Sequence, residues 1–136
     1  MIRTALCDNF KLDILMGRQS SKDIYMMALY SDDAELGSFT TEYTATGEVS
    51  GSGYTDGGKQ LENVRTYSEG GSAFLVFDEV RWENVSIAAS GCMIYNQSAE
   101  NRAVATFSFG KTVEARNGKF TVEIPSSGKN GLICIL

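Results

Sequence analysis

The sequence predicts an all-β chain: an antiparallel β-sandwich with one N-terminal α-helix. Three observations predict it. Apolar runs are short and recur along the chain, from residues 24–30 to residues 132–136. Turn-forming sets stand between them: Asp32-Asp33, Gly51-Ser52-Gly53, Asp56-Gly57-Gly58, Gly70-Gly71 and Asn117-Gly118. Helical periodicity is confined to the first sixteen residues. Short strands at this spacing favour a sandwich or barrel. A length of 136 residues fits a single domain, 1–136, large enough to bury a core, and 43% apolar content is that of an ordinary globular protein.

The helix is expected over residues 5–16. Thr4 is a suitable N-cap. Leu6, Cys7, Phe10 and Ile14 then fall on one helical stripe, and Gly17 is a natural residue just past the C-terminal end. Leu12, Leu15 and Met16 lie off that stripe, so the helix is expected to be covered on more than one side. The sandwich follows over residues 24–136.

Residues 24–30 form the first strand by apolar content. Residues 39–49 carry Thr and Tyr without clean alternation, and are expected to be a loop with a short strand near Tyr43 or Glu48. Leu61, Val64 and Tyr67 share one run ending at Glu69-Gly70-Gly71. Residues 73–77 are continuously apolar, which implies burial on both faces. Asp78-Glu79 interrupts, after which Val80 and Trp82 share one face. Ser90-Gly91 is expected to be a bulge in the strand over 87–95. Ala103, Ala105, Phe107 and Phe109 alternate with Val104, Thr106 and Ser108. Asn117-Gly118 is the strongest hairpin signal in the chain. Beyond it Phe120, Val122 and Ile124 face one way, as in a half-buried strand. The apolar end, residues 131–136, is expected to be tied into the sheet or to form an edge hidden by a partner.

The composition removes several classes of chemistry. The chain has no histidine, which excludes Ser-His and Cys-His nucleophilic pairs, His-ligated zinc and a histidine proton shuttle. Asp78 and Glu79, near Trp82 and Glu83, offer carboxylates for glycoside hydrolysis and an indole for sugar stacking, but their setting is that of a solvated junction between strands. Asp32, Asp33 and Glu35 lack the calcium-loop pattern. No helix follows the glycine-rich turns to present its N-terminus to a phosphate. Cys7, Cys92 and Cys134 sit apart in apolar settings and are expected to be buried thiols, neither a disulfide framework nor a metal set. A net charge of −5 without a basic cluster argues against nucleic acid. No run is long and apolar enough for a membrane span, and the N-terminus lacks a signal-peptide apolar region. The expectation is a non-enzymatic chain with no cofactor, no metal, no nucleic acid and no membrane partner.

Several segments, in order, resemble a family of small virion proteins of tailed phages. They are Leu6-Cys7-Asp8-Asn9-Phe10-Lys11-Leu12-Asp13-Ile14, with Ile14 where the family has Leu, Ala28-Leu29-Tyr30, Thr40-Thr41-Glu42-Tyr43-Thr44 and residues 48–58, EVSGSGYTDGG. Further along come Phe77-Asp78-Glu79-Val80-Arg81-Trp82, Met93-Ile94-Tyr95-Asn96, residues 103–110 and Gly118-Lys119-Phe120-Thr121 with Pro125. Met26-Met27 departs from the family pattern. The resemblance implies a jelly-roll-like sandwich and a virion structural protein, made in the host cytoplasm and placed on the capsid surface. There it would act as a decoration or cement protein on the major capsid protein. A tail, baseplate or head-fibre component is the first alternative, and a carbohydrate-binding module a more distant one. Self-association, as a homodimer or higher, stays open. Phe39, Tyr43 and Tyr54, aromatic residues in polar loop sequence, are candidate partner contacts, as are Leu12 and Leu15 on the helix.

Overall fold

Two long antiparallel strands organise the molecule in a computed structural model that describes residues 1–122 and 133–135. β6 (Val80–Asn96) and β7 (Arg102–Val122) pair along most of their length, from Val80↔Val122 to Asn96↔Arg102. A short 3-10 turn, Gln97–Ala99, joins them, with the Asn96 side chain accepting from Ala99 N–H at 3.2 Å. Around this ribbon lie β1 (Ala5–Leu6), β2 (Tyr25–Tyr30) and β3 (Lys59–Gln60), giving a five-stranded sheet in the order β1-β7-β6-β2-β3. A second sheet contains β4 (Arg65–Glu69), β5 (Ser72–Val76) and β8 (Ile133–Ile135), in the order β4-β5-β8. Among the described residues every pairing between these strands is antiparallel. The chain is thus all-β with one N-terminal helix, α1 (Asp8–Leu15). The sheets hold five and three strands, so the paired four-stranded sheets of a jelly roll are not seen among the described residues.

The helix begins later than its sequence pattern predicts. Residues 5–6 are extended because the edge of β7 offers them partners: Ala5 pairs with Thr106, Leu6 with Ala105, and Cys7 N–H donates to Val104 O at 3.0 Å. Thr4 does not cap the helix; its hydroxyl accepts from Ser108 N–H at 3.0 Å. Cys7 occupies the N-cap position without a side-chain bond. The C-terminal end is as expected. Gly17 takes φ 73°, its N–H donates to Ile14 O at 3.2 Å, and Arg18 N–H donates to Asp13 O at 2.8 Å, the paired bonds of a Schellman stop.

Asn117-Gly118 is not a hairpin. Both residues lie inside β7, which keeps the same partner on either side, with Val85↔Gly118 and Ile87↔Ala115. Asn117 takes φ 48°, and its N–H donates to Ser86 Oγ at 3.0 Å. A residue able to adopt the left-handed region serves a bulge as well as a turn, and pairing with β6 decides between them. The expected bulge at Ser90-Gly91 is present, as a register shift between Ala89 and Gly91.

The alternation over 103–109 is also broken. Ala103, Val104, Ala105 and Thr106 are all buried, because α1 packs over β7 and adds cover on a second side. The run from Leu61 to Tyr67 is not one strand: Leu61 follows the end of β3, only residues 65–67 belong to β4 in the other sheet, and Asn63 at φ 54° stands between them. Residues 39–49 form a loop touching the sheet at two single bridges, Glu42↔Arg102 and Tyr30↔Glu48. The expectations for Ile124, Pro125 and residues 131–132 and 136 lie outside the described residues, as does the side chain of Cys134.

The core lies along β2 and β6. Met27, Leu29, Tyr30, Leu36, Val85, Met93, Ile94 and Val104 are fully buried. Met27 therefore belongs to the core and Met26 packs against it. Cys7 and Cys92 are buried free thiols, and burial pushes both up to about 12.

Candidate interaction surface

The helix is fixed to the sheet by three neighbouring positions on one face. Cys7 and Phe10 are buried. Asp13, on the same side, has no exposure, and its Oδ2 accepts from Arg102 Nε at 2.7 Å and from Gln19 Nε2 at 3.4 Å. Arg18 stands 4.0 Å from Oδ1. The hydrogen bond to Asp13 raises the Arg102 pKa, holding its guanidinium charged. Asn9 Nδ2 donates to Thr41 O at 3.0 Å and Ala103 O at 3.2 Å, tying the helix to the loop and to β7.

That docking turns the opposite face outward. Leu12, Leu15 and Met16 follow i, i+3, i+4 spacing and so share a face, with exposures of 54%, 86% and 53%. Phe39, 60% exposed, lies in the loop beside the N-terminal end of α1, where Asp8 N–H donates to Ser38 O at 2.9 Å. An exposed leucine needs no explanation, but grouped apolar side chains on a held helix form a surface suited to a protein partner. Of the five residues singled out in the sequence, Leu12 and Leu15 are at this surface, and Phe39 is exposed in the loop at the other end of the helix.

Tyr43 and Tyr54 are placed differently. Both are half-buried against the core, and both hydroxyls donate to one carboxylate. Tyr43 reaches Glu48 Oε1 at 2.5 Å, Tyr54 reaches Oε2 at 2.5 Å, and Gly57 N–H donates to Oε2 at 2.9 Å. Tyr54 Oη also accepts from Leu29 N–H at 3.0 Å. The Tyr43 ring lies 4.9 Å from that of Tyr95, whose hydroxyl donates to Gly57 O at 2.6 Å. Burial raises both hydroxyls that face Glu48, and their bonds to it raise them further; burial takes Tyr95 up to about 12. These polar tips fasten the long loops to the sheet. Glu48 and the Asp13–Arg102 pair were not legible as sites in the sequence. The available signals were tyrosines on both sides of a lone glutamate, and an acid three positions beyond Phe10 on the buried helix face.

The residues offered for chemistry are engaged elsewhere. Trp82 is buried, 6.3 Å from the Tyr54 ring and 6.4 Å from Phe120, so its indole does not present a face to a sugar. Asp78 pairs with Arg65 at 3.5 Å and Glu79 with Arg81 at 2.6 Å, all four at the surface. Glu35 pairs with the N-terminal amine at 2.9 Å. Among the described residues no group of three or more His, Cys, Asp or Glu could hold a metal ion, and no helix is long and apolar enough to cross a membrane.

No family model matches this chain, and no curated protein or solved structure matches it.

Proposed function

We propose that the chain is a tailed-phage virion structural protein, a capsid decoration protein that docks on the major capsid protein through the outer face of α1. The virion assignment rests on the ordered resemblance along the sequence. The observation that carries the docking mode is the exposed set of Leu12, Leu15 and Met16 on a helix whose other face is held by Phe10 and the Asp13–Arg102 pair. A protein that binds assembled subunits better than free ones stabilises the shell by mass action, and a symmetric lattice repeats that gain at every copy. Apolar anchors ringed by polar residues suit such a contact, and Lys11 and Asp8 stand beside the leucines.

The test is co-sedimentation of the purified chain with shells assembled from major capsid protein. Saturable binding by wild type, lost in Leu12→Asp/Leu15→Asp without loss of fold, is the expected result. No binding to shells by wild type overturns the decoration reading, and binding unchanged in the double variant removes α1 as the contact.

A further inference from the structure

β4 is an unusual sheet edge for a protein that stays monomeric. All five residues, Arg65 to Glu69, are exposed, and among the described residues no strand lies beyond them. Natural edges are blunted by brevity, charged side chains, proline or bulges. The edges of the larger sheet, β1 and β3, are two residues each. β4 carries charges only at its two ends, Arg65 and Glu69, has no lysine or proline, and pairs residue for residue with β5 without a register shift.

The hairpin fixes which backbone groups face outward. Gly70 and Gly71, at φ 59° and 84°, form a two-residue turn, so the flanking pair Glu69↔Ser72 exchanges both backbone bonds. Antiparallel alternation then makes Tyr67↔Phe74 and Arg65↔Val76 hydrogen-bonded pairs too. The N–H and C=O groups of Thr66 and Ser68 are left pointing away from β5.

We propose that β4 pairs with β4 of a second copy of this chain, antiparallel about a two-fold axis at Tyr67. The segment Arg-Thr-Tyr-Ser-Glu complements itself when reversed. Thr66 of each copy lies opposite Ser68 of the other, so the outward backbone groups satisfy one another in four hydrogen bonds. Arg65 of each copy lies opposite Glu69 of the other, giving two opposite-charge cross-strand pairs. The Tyr67 ring, stacked 4.9 Å from Phe74, is on the same strand face as Arg65 and Glu69. Arg65 keeps its bond to Asn63 O at 2.9 Å and its pairing with Asp78, and gains a second carboxylate. The contact is self-complementary, so it closes at two copies and joins the two small sheets into one. Its area is that of a weak, concentration-dependent contact. It is independent of the virion reading and of α1.

Sedimentation velocity on the full chain, at concentrations up to about 1 mM, tests it. Wild type is expected to show a monomer–dimer equilibrium. Arg65→Glu and Glu69→Arg each place like charges opposite one another twice per dimer and weaken it by about tenfold. The double reversal Arg65→Glu/Glu69→Arg restores the pairing. Tyr67→Cys gives a second measurement, because paired residues at the axis stand about 4.5 Å apart between Cα atoms, within disulfide reach. It should cross-link under mild oxidation while exposed Glu62→Cys does not. A chain monomeric to the highest concentration overturns the proposal. So does a dimer indifferent to both single reversals, or Tyr67→Cys cross-linking no faster than Glu62→Cys.

Discussion

Arg102 of β7 donates through Nε to Asp13 Oδ2 at 2.7 Å, and Asp13 has no exposed surface. This contact joins positions 89 residues apart and sets the rotation of α1 on the sheet. Breaking a buried pair by removing one partner costs about 3–5 kcal/mol, because the other charge is stranded. Arg102→Met should fall at the lower end, since Arg18 and Gln19 still approach the carboxylate. Asp13→Leu/Arg102→Met should cost less than the sum of its single changes. Urea unfolding of the four chains measures the coupling, and additive costs would show that the pair does not act as a unit.

Glu48 holds two hydroxyls and a backbone N–H at once. Glu48→Ala should lower stability by about 2–3 kcal/mol, as hydrogen bonds to a charged acceptor are worth more than neutral ones. Tyr43→Phe should cost about 1 kcal/mol in wild type and close to nothing in the Glu48→Ala chain, where the acceptor is already gone. Hydrogen exchange should show the loosening in residues 43–58 before the β6–β7 ribbon.

Much of this fold was legible in the sequence because local patterning and tertiary packing agree. Val80 and Trp82 share a buried face, Ser90-Gly91 is a bulge, and Gly17 stops the helix. The failures occur where a neighbouring strand overrides a local signal. Thr4 reads as a cap until β7 claims residues 5–7. Asn117-Gly118 reads as a turn until its flanks are seen to share one partner. The exposed half of the candidate surface was visible, since Leu12 and Leu15 fall off the apolar stripe. Asp13 was not, because an acid on a short amphipathic helix reads as solvent-facing until Arg102 arrives from far along the chain. Tyr43 and Tyr54 gave the opposite difficulty: polar flanking sequence hides aromatic rings that pack inward.

The bulge at Asn117 gives a test of that override. Asn117→Val places a β-branched residue at φ 48° and should cost about 1–2 kcal/mol, while Asn117→Gly should stay close to wild type. Thermal unfolding distinguishes them. Equal stability of the two variants would mean that this backbone conformation is not required.

Alkaline pH should unfold the chain over a defined window. Cys7 and Cys92 move from 9.0 to about 12, and Tyr25 and Tyr95 from 10.0 to about 12, in each case chiefly through burial. A raised pKa on a group that ionises to an anion means the fold favours the neutral form. That stability is complete below the unfolded value and is lost as pH rises through the folded one. The urea midpoint should hold to about pH 9 and fall steadily towards pH 12, with Tyr25 and Tyr95 ionising as the chain unfolds. Ionisation of Tyr25 or Tyr95 near pH 10 in a fully folded chain, followed residue by residue by NMR, would contradict this. At neutral pH both thiols should resist alkylation until the chain is denatured.

The proposed virion role is tested most directly by cryo-EM of intact phage particles. The account predicts density for the domain on the outer shell, bridging major capsid subunits, with Leu12 and Leu15 of α1 at the contact. Density on the tail or fibres with none on the shell would contradict it.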